Sequence, residues 1–148
     1  MADDYVVADT TVISYLSKAS PQSKAYEALL GQRRLAVSFQ TRAELLALGV
    51  GEARQRRVND LLAATLILPH SEATDVWYSR VLLVRNDLRR SGRPRGDAGE
   101  ADVWIIASAL EHGLPLLSHD KGQVHLGRAA GLRVVTNLEG LREDNPSL

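Results

Sequence analysis

The sequence of 148 residues contains no cysteine. That absence excludes a disulfide framework and a zinc site built on cysteine, so any metal must be held by oxygen or imidazole ligands. It also suits the reducing environment of the cytoplasm, which is where we expect the protein to act.

The sequence also lacks a long apolar run. No stretch approaches the roughly 18 residues that a membrane-spanning helix needs. The N-terminal residues MADDY do not form a basic segment that leads into an apolar one, as a signal peptide would. We therefore expect a protein that is neither secreted nor inserted in a membrane.

Neither sign of charge is in excess, since Lys and Arg number 18 and Asp and Glu also number 18. Net charge therefore does not predict a nucleic-acid-binding protein, and a site for a polyanion has to come from local clustering. Hydrophobic residues make up 45% of the chain and charged residues 24%, a composition typical of a folded globular protein. We expect one domain over residues 1–148, with residues 140–148 as a flexible tail.

Short β-branched runs alternate along the chain with longer stretches of helical periodicity. The predicted strands cover residues 5–8, 35–37, 66–68, 115–118 and 133–135, and the clearest helical stretches cover residues 23–30, 41–49, 52–64 and 72–90. This alternation predicts an α/β fold with a central parallel sheet of about five strands and helices on both faces. The segment SGRPRGDAG, residues 91–99, is predicted to separate two helices rather than two domains.

Three acidic residues follow predicted strands. Asp9 comes directly after the first strand, Glu44 follows the second, and Asp120 ends the run PLLSHD. Each has a purely structural explanation. Asp9 and Asp120 are suited to cap the helices that follow them, and Thr41 with Glu44 matches the T-x-x-E capping box. Taken alone, none of the three indicates chemistry.

A fourth acidic residue, Asp102, lies in the apolar segment ADVWIIASAL. An unpaired carboxylate on a mostly buried helix is costly, so a structural explanation is weaker here than for the other three. Asp97 and Glu100, just before it, have the D-x-x-E spacing of another helix cap, which accounts for them without any chemistry.

The four acids together indicate more than any one of them. Ligands of parallel α/β sheets bind outside the carboxyl ends of the strands, where Asp9, Glu44 and Asp120 are predicted to lie and where Asp102 could join them. Crowded carboxylates repel one another unless a cation compensates, and Mg²⁺ or Mn²⁺ prefers oxygen ligands of this kind. Such a site can cleave a phosphodiester with activated water.

Three segments carry a family resemblance that spans nearly the whole chain. The stretches VVADTTVISYL, TRAELL and ADVWIIASALEHGLPLLSHD resemble the motifs of the PIN-domain ribonucleases, and among them the VapC toxins of bacterial toxin–antitoxin pairs. The resemblance implies a three-layer α/β/α domain and an acidic quartet around Mg²⁺ or Mn²⁺. Residue by residue, it assigns Asp9, Glu44, Asp102 and Asp120 to the quartet as both metal ligands and catalytic residues. It also implies that Thr11 makes a hydrogen bond that orients a carboxylate or a metal-bound water.

The same resemblance implies partners and a substrate. It predicts an endoribonuclease that cleaves structured RNA, is silenced by a cognate VapB-like antitoxin, and forms a homodimer, with a heterotetramer or larger assembly in the complex. The sequence departs from the family pattern after Asp120, where KGQV replaces the frequent further acid and aromatic. Asp120 could therefore reach the metal only through water.

One segment carries a local excess of positive charge. RNDLRRSGRPRG, residues 85–96, has five arginines against one aspartate. Arginines here could contact RNA phosphates, although a solvated helix end with a mobile loop explains each of them equally well. The candidates for RNA contact are Arg42, which could instead pair with an acid, and Arg89, Arg90, Arg93 and Arg95.

Two other functions compete with the nuclease. A phospho-acceptor signalling module also clusters aspartates at the carboxyl ends of strands, but its acidic pair should follow the first strand, whereas Asp3 and Asp4 precede it. The lysine that it needs after the last strand is absent from RVVTNLEG. A module that binds RNA or protein without cleaving it is the other alternative, and the complete acidic set argues against it.

Overall fold

Five parallel strands form one sheet in the order β3, β2, β1, β4, β5. The computed structural model describes residues 4–18, 20–48, 51–92 and 98–148. The strands are β1 Tyr5–Ala8, β2 Arg34–Ser38, β3 Leu66–Leu68, β4 Leu116–Leu117 and β5 Val134–Val135. The chain builds the sheet outward from β1 to β3 and then returns to place β4 on the opposite side of β1, so β1 is central.

The described part of the chain includes seven α-helices. They are α1 Thr10–Leu16, α2 Pro21–Leu30, α3 Phe39–Ala47, α4 Glu52–Ala63, α5 Glu72–Arg90, α6 Glu100–His112 and α7 Lys121–Ala129. Helices α1 to α4 pack on one face of the sheet and α5 to α7 on the other. The predicted α/β class, with three α/β/α layers and about five parallel strands, is confirmed.

The sheet divides the apolar interior into two cores. Successive side chains of a strand point to opposite faces, so Val7 joins the core beneath α5 to α7, whereas Val6 and Ala8 join the core beneath α1 to α4. Leu116 and Leu117 are divided between the two cores in the same way. Burial on both faces explains why these strands are apolar at every position instead of alternating with polar residues.

Two predicted helix caps differ from the structure. The cap of α3 is Ser38, whose hydroxyl accepts a hydrogen bond from the backbone N–H of Thr41, at 3.1 Å. The predicted T-x-x-E box is therefore wrong, because the helix begins two residues before Thr41 and Glu44 lies in its second turn. Helix α6 begins at Glu100 with Gly99 as its cap, while Asp97, the other half of the predicted D-x-x-E pair, lies outside the described residues.

The C-terminal residues contact the domain. A short 3-10 helix, Arg142–Asp144, follows β5, and the Asn145 side chain accepts from the N–H of Thr136 and donates to its carbonyl, each at 2.9 Å. The guanidinium of Arg33 donates to the carbonyl of Leu148 at 2.6 Å. Residues 140–148 were expected to form a flexible tail, and their flexibility stays a prediction beside these contacts of Asn145 and Leu148. Within the residues described, no helix is both long and apolar enough to cross a membrane.

Gly127 on α7 lies where α7 packs against β5. A Cβ added there would approach Val134 Cγ2 to 2.7 Å, closer than real Cβ contacts. We predict that Gly127→Ala destabilises the protein by up to about 2 kcal/mol, because an overpacking cost of about 1–3 kcal/mol outweighs the roughly 1 kcal/mol of helix propensity gained. Urea unfolding measures the change. In a Val134→Ala background, which removes the clashing methyl group, the cost of Gly127→Ala should become smaller, and an equal cost in both backgrounds would contradict this explanation.

Candidate functional site

A cleft of about 160 Å³ at the carboxyl ends of the strands is lined by all four predicted acids. Asp9 directly follows β1, Asp120 follows β4, Glu44 lies on the helix after β2, and Asp102 lies in the first turn of α6. The strand order reverses between β1 and β4, which is the switch point where α/β sheets bind their ligands. The lining is completed by uncharged residues: Thr10, Thr11, Ala101, Ile105 and Gln123.

Asp9 is held by hydrogen bonds to both of its carboxylate oxygens. Its Oδ1 accepts from the backbone N–H of Val12 at 2.7 Å, so Asp9 caps α1 as predicted. Its Oδ2 accepts from the Ser118 hydroxyl at 3.0 Å and from the backbone N–H of His119 at 3.1 Å. The side chain is therefore fixed between the first turn of α1 and the segment after β4. Ser118 was not predicted as a site residue.

Glu44 is oriented by two neighbours that the sequence did not reveal. The hydroxyl of Thr10 donates to Glu44 Oε2 at 2.9 Å, and the amide of Gln40 donates to Oε1 at 3.2 Å. The hydrogen bond to the Glu44 carboxylate is made by Thr10, while Thr11 is exposed on the cleft wall, and its predicted role in orienting a carboxylate or a metal-bound water stays a prediction. The first residue of α1 faces α3, and only the tertiary contact between these helices decides which threonine reaches Glu44.

Asp102 and Asp120 are linked through Gln123 on α7. The amide nitrogen of Gln123 donates to Asp102 Oδ1 at 3.0 Å, and its backbone N–H donates to Asp120 Oδ1 at 2.8 Å. Asp102 Oδ2 accepts from the backbone N–H of Gly99 at 2.9 Å. Asp120 caps α7, as predicted. Gln123 was not predicted as a site residue. Its position three residues after Asp120, which caps α7, could have indicated that it lies beside the cleft.

The ionisation of the buried acids is shifted by their surroundings. Burial raises the pKa of Asp9 to about 6, although hydrogen bonds from Val12, His119 and Ser118 partly oppose the shift and the charge of Asp120 adds to it. Burial also raises the pKa of Asp102, and the charges of Asp120 and Glu44 contribute to the increase. The mutual repulsion that the sequence predicted is therefore present in the cleft.

His119 is held by aromatic neighbours on the α1 to α4 side of the sheet. Its Nδ1 lies 2.6 Å from the hydroxyl of Tyr26, which is fully buried, and its ring meets Tyr15 edge to face. The Tyr26 hydroxyl also accepts from the backbone N–H of Asn137 at 3.2 Å. Burial lowers the pKa of His119, so the ring is neutral at neutral pH. These contacts fix the backbone N–H of His119 that reaches Asp9.

The side chains of the cleft fit a hard divalent cation. Every titratable group on the lining is a carboxylate, no Lys, Arg or His is among the described lining residues, and two carboxyl groups have raised pKa values. Within residues 4–18, 20–48, 51–92 and 98–148, no three His, Asp or Glu side chains are already close enough together to hold an ion. Each of the four carboxylates instead accepts hydrogen bonds from the protein.

Among the described residues, the arginines predicted to contact RNA do not line the cleft. Arg42 is exposed on α3, and Arg90 is exposed at the end of α5, where it pairs with Asp87 at 3.4 Å. Arg89 donates to the carbonyl of Ala98 at 3.4 Å. Arg93 and Arg95 lie outside the described residues. Their contact with RNA therefore stays a prediction.

Comparison with protein families and curated sequences gives one match. The model of the PIN domain matches residues 6–129 of the chain, a span that includes every residue of the cleft. No curated protein matches the chain in sequence.

Several solved structures have a similar fold. VapBC-1 from nontypeable Haemophilus influenzae is 28% identical over 89% of this chain and 97% of its own, with a TM-score of 0.66. FitAcB from Neisseria gonorrhoeae is 25% identical over 87% of this chain and 95% of its own, with a TM-score of 0.64. VapBC2 from Rickettsia felis, solved with a DNA fragment from its promoter, is 19% identical over 89% of this chain and 98% of its own, with a TM-score of 0.67. At this identity the similarity shows the fold alone.

The raised pKa of Asp9 makes stability depend on pH. The folded state favours the protonated form of this carboxyl, so the contribution of Asp9 to stability is fully present below its unfolded pKa of 3.8. This contribution is lost as the pH rises through about 6. We predict that, in chelator, the free energy of unfolding of the wild type falls by up to about 3 kcal/mol relative to Asp9→Asn between pH 4 and pH 7. Urea unfolding of both proteins across this range measures the difference.

Asp60, exposed on α4, provides the matched control. Asp60→Asn should follow the wild type at every pH, because it makes the same chemical change at an exposed residue that does not line the cleft. If the difference between the wild type and Asp9→Asn is constant across the range, the ionisation of Asp9 is not linked to folding.

Proposed function

Because the chain belongs to the PIN domain family, whose model matches residues 6–129, we propose that it is a metal-dependent endoribonuclease and the toxin of a VapBC-type pair. The observation that carries the proposal is that Asp9, Glu44, Asp102 and Asp120 line one cleft at the switch point of the sheet. These residues would act on RNA phosphodiester bonds as a hydrolase in which water is the nucleophile.

The same four carboxylates would hold Mg²⁺ or Mn²⁺, because hard divalent cations prefer oxygen ligands. When bound, the cation supplies a lowered pKa for the attacking water and stabilises charge on the phosphate. Asp120 is the acid most open to solvent, which suits the expectation that it acts through water.

The remaining side chains position this acidic set. Ser118 and the backbone of His119 hold Asp9, Thr10 holds Glu44, and Gln123 holds Asp102. A set that is fixed before the substrate arrives does not have to reorganise during the reaction. No covalent step on the protein is proposed, since the Ser118 hydroxyl donates to Asp9 and His119 Nδ1 is occupied by Tyr26.

The proposed partner is a VapB-like antitoxin. Support comes from the similar chains in VapBC-1 and FitAcB, at 28% and 25% identity. We further propose a homodimer, a heterotetramer or larger assembly with the antitoxin, and structured RNA as the substrate, with Arg42, Arg89 and Arg90 among the phosphate contacts.

We predict that the purified protein cleaves RNA with Mg²⁺ or Mn²⁺ and is inactive in chelator. Asp9→Asn and Asp102→Asn should each reduce the cleavage rate at least about 100-fold, because loss of even an indirect partner of a metal commonly costs 10-fold to 100-fold. Product formation from total RNA, resolved on denaturing gels, measures the rate.

Asp60→Asn should cleave at the rate of the wild type. Cleavage that persists in chelator, or in Asp9→Asn and Asp102→Asn, would refute the assigned site. RNA binding without metal-dependent products would instead indicate a module that binds RNA without cleaving it. Labelling of Asp9 by a small phosphodonor would indicate a phospho-acceptor module.

A further inference from the structure

Gln123 is a buried polar residue whose side chain is only half satisfied. It is 1% exposed and lies on the wall of the acidic cleft. Its amide nitrogen donates to Asp102 Oδ1 at 3.0 Å, but its amide oxygen is buried with no hydrogen-bond partner among the described residues. Buried amide oxygens without a donor are uncommon because losing their hydration is costly. The unpaired oxygen of Gln123 therefore requires an explanation.

The orientation of the amide is fixed by its partner. A carboxylate oxygen only accepts hydrogen bonds, so the nitrogen of the Gln123 amide must face Asp102. Rotating the amide by 180° would bring two oxygens together and is unfavourable. The acceptor oxygen is consequently the unpaired atom, and the group that satisfies it must be a donor. When ionised, none of the four acids of the cleft can donate a hydrogen bond to this oxygen.

We propose that Gln123 is a positioning residue for a hydrated divalent cation in the acidic cleft. Its amide nitrogen holds the Asp102 carboxylate, and its amide oxygen, which no water can reach in this arrangement, would turn toward the cleft and accept a hydrogen bond from the water that accompanies the cation. This inference rests on the proposed metal dependence and adds a neutral residue to the acidic set. Hydrated Mg²⁺ and Mn²⁺ suit this role because they keep several of their waters when bound to proteins.

The backbone of Gln123 strengthens the assignment. Its N–H donates to Asp120 Oδ1 at 2.8 Å, so one residue contacts two of the four acids through different atoms. The burial of α7 residues Val124 and Leu126 fixes this part of the helix against the core. Displacement of the Gln123 side chain would therefore change the orientation of Asp102 while leaving the helix in place.

The test compares the full-length wild type with Gln123→Met and Gln123→Glu, using Mn²⁺ alone as the probe. Titration calorimetry gives the dissociation constant, and urea unfolding in chelator gives the stability of the ion-free protein. Gln123→Met has a similar length but neither donor nor acceptor, and should weaken Mn²⁺ binding about 10-fold to 100-fold. Gln55→Met, on the exposed surface of α4, is the matched control and should bind Mn²⁺ as the wild type does.

Gln123→Glu retains an acceptor oxygen but places a second carboxylate beside Asp102. In chelator, its free energy of unfolding should be lower than that of the wild type. Mn²⁺ should restore this stability, because the cation screens the added repulsion. A purely structural role for Gln123 predicts lower stability for both variants, with the Mn²⁺ dissociation constant unchanged in Gln123→Met. That result would overturn the inference, as would loss of Mn²⁺ binding in Gln123→Glu to the same extent as in Gln123→Met.

The outcome for the wild type separates this inference from the proposed function. If the wild type fails to bind Mn²⁺, the proposed metal site is wrong and the role of Gln123 is wrong with it. If the wild type binds Mn²⁺ and Gln123→Met binds equally well, the metal site stands and only the role of Gln123 is overturned.

Discussion

The hydrogen bonds that hold the buried carboxylate of Asp9 are the interactions on which the arrangement of the cleft depends. A buried negative charge is tolerated only where donors surround it. Here the donors come from two places, the first turn of α1 and the Ser118–His119 segment after β4. These segments can meet because β4 pairs beside β1, even though more than one hundred residues separate Asp9 from Ser118. The order of the strands therefore determines which donors reach Asp9.

The other acids take their positions from the same edge of the sheet. Pairing of β2 with β1 brings the start of α3 beside α1, where Thr10 reaches Glu44. Packing of α6 against α7 brings Asp102 to Gln123, and Asp120 caps α7. Each of these contacts joins residues distant in sequence. The walls of the cleft are the ends of strands and helices that pack on the two cores from either side.

The sequence predicted the layers well because they depend on local patterns, and it singled out the four acids that line the cleft, whose roles stay predictions. Apolar runs located all five strands, the boundaries of α5 agree with its predicted span, and the resemblance to the PIN-domain ribonucleases of the VapC type is confirmed. The supporting residues could not be predicted in the same way. Ser38 and Thr41 both offer a hydroxyl for the cap of α3, and the end of β2 decides between them. Gln123 finds its partner 21 residues away on another helix, which local pattern cannot reveal.

The electrostatics of the cleft disfavour the ionisation of its buried acids. Asp9 and Asp102 ionise less readily than free aspartate because burial and neighbouring negative charge disfavour the ionised form. No described Lys, Arg or His on the lining offsets that charge. At neutral pH the carboxylates of the cleft therefore repel one another, and hydrogen bonds oppose the effect of this repulsion only in part. A cation that binds the folded state alone would relieve it and stabilise the fold by mass action. The repulsion that, together with burial, raises the pKa values of Asp9 and Asp102 is thus the same feature that would give the cleft its affinity for a divalent cation.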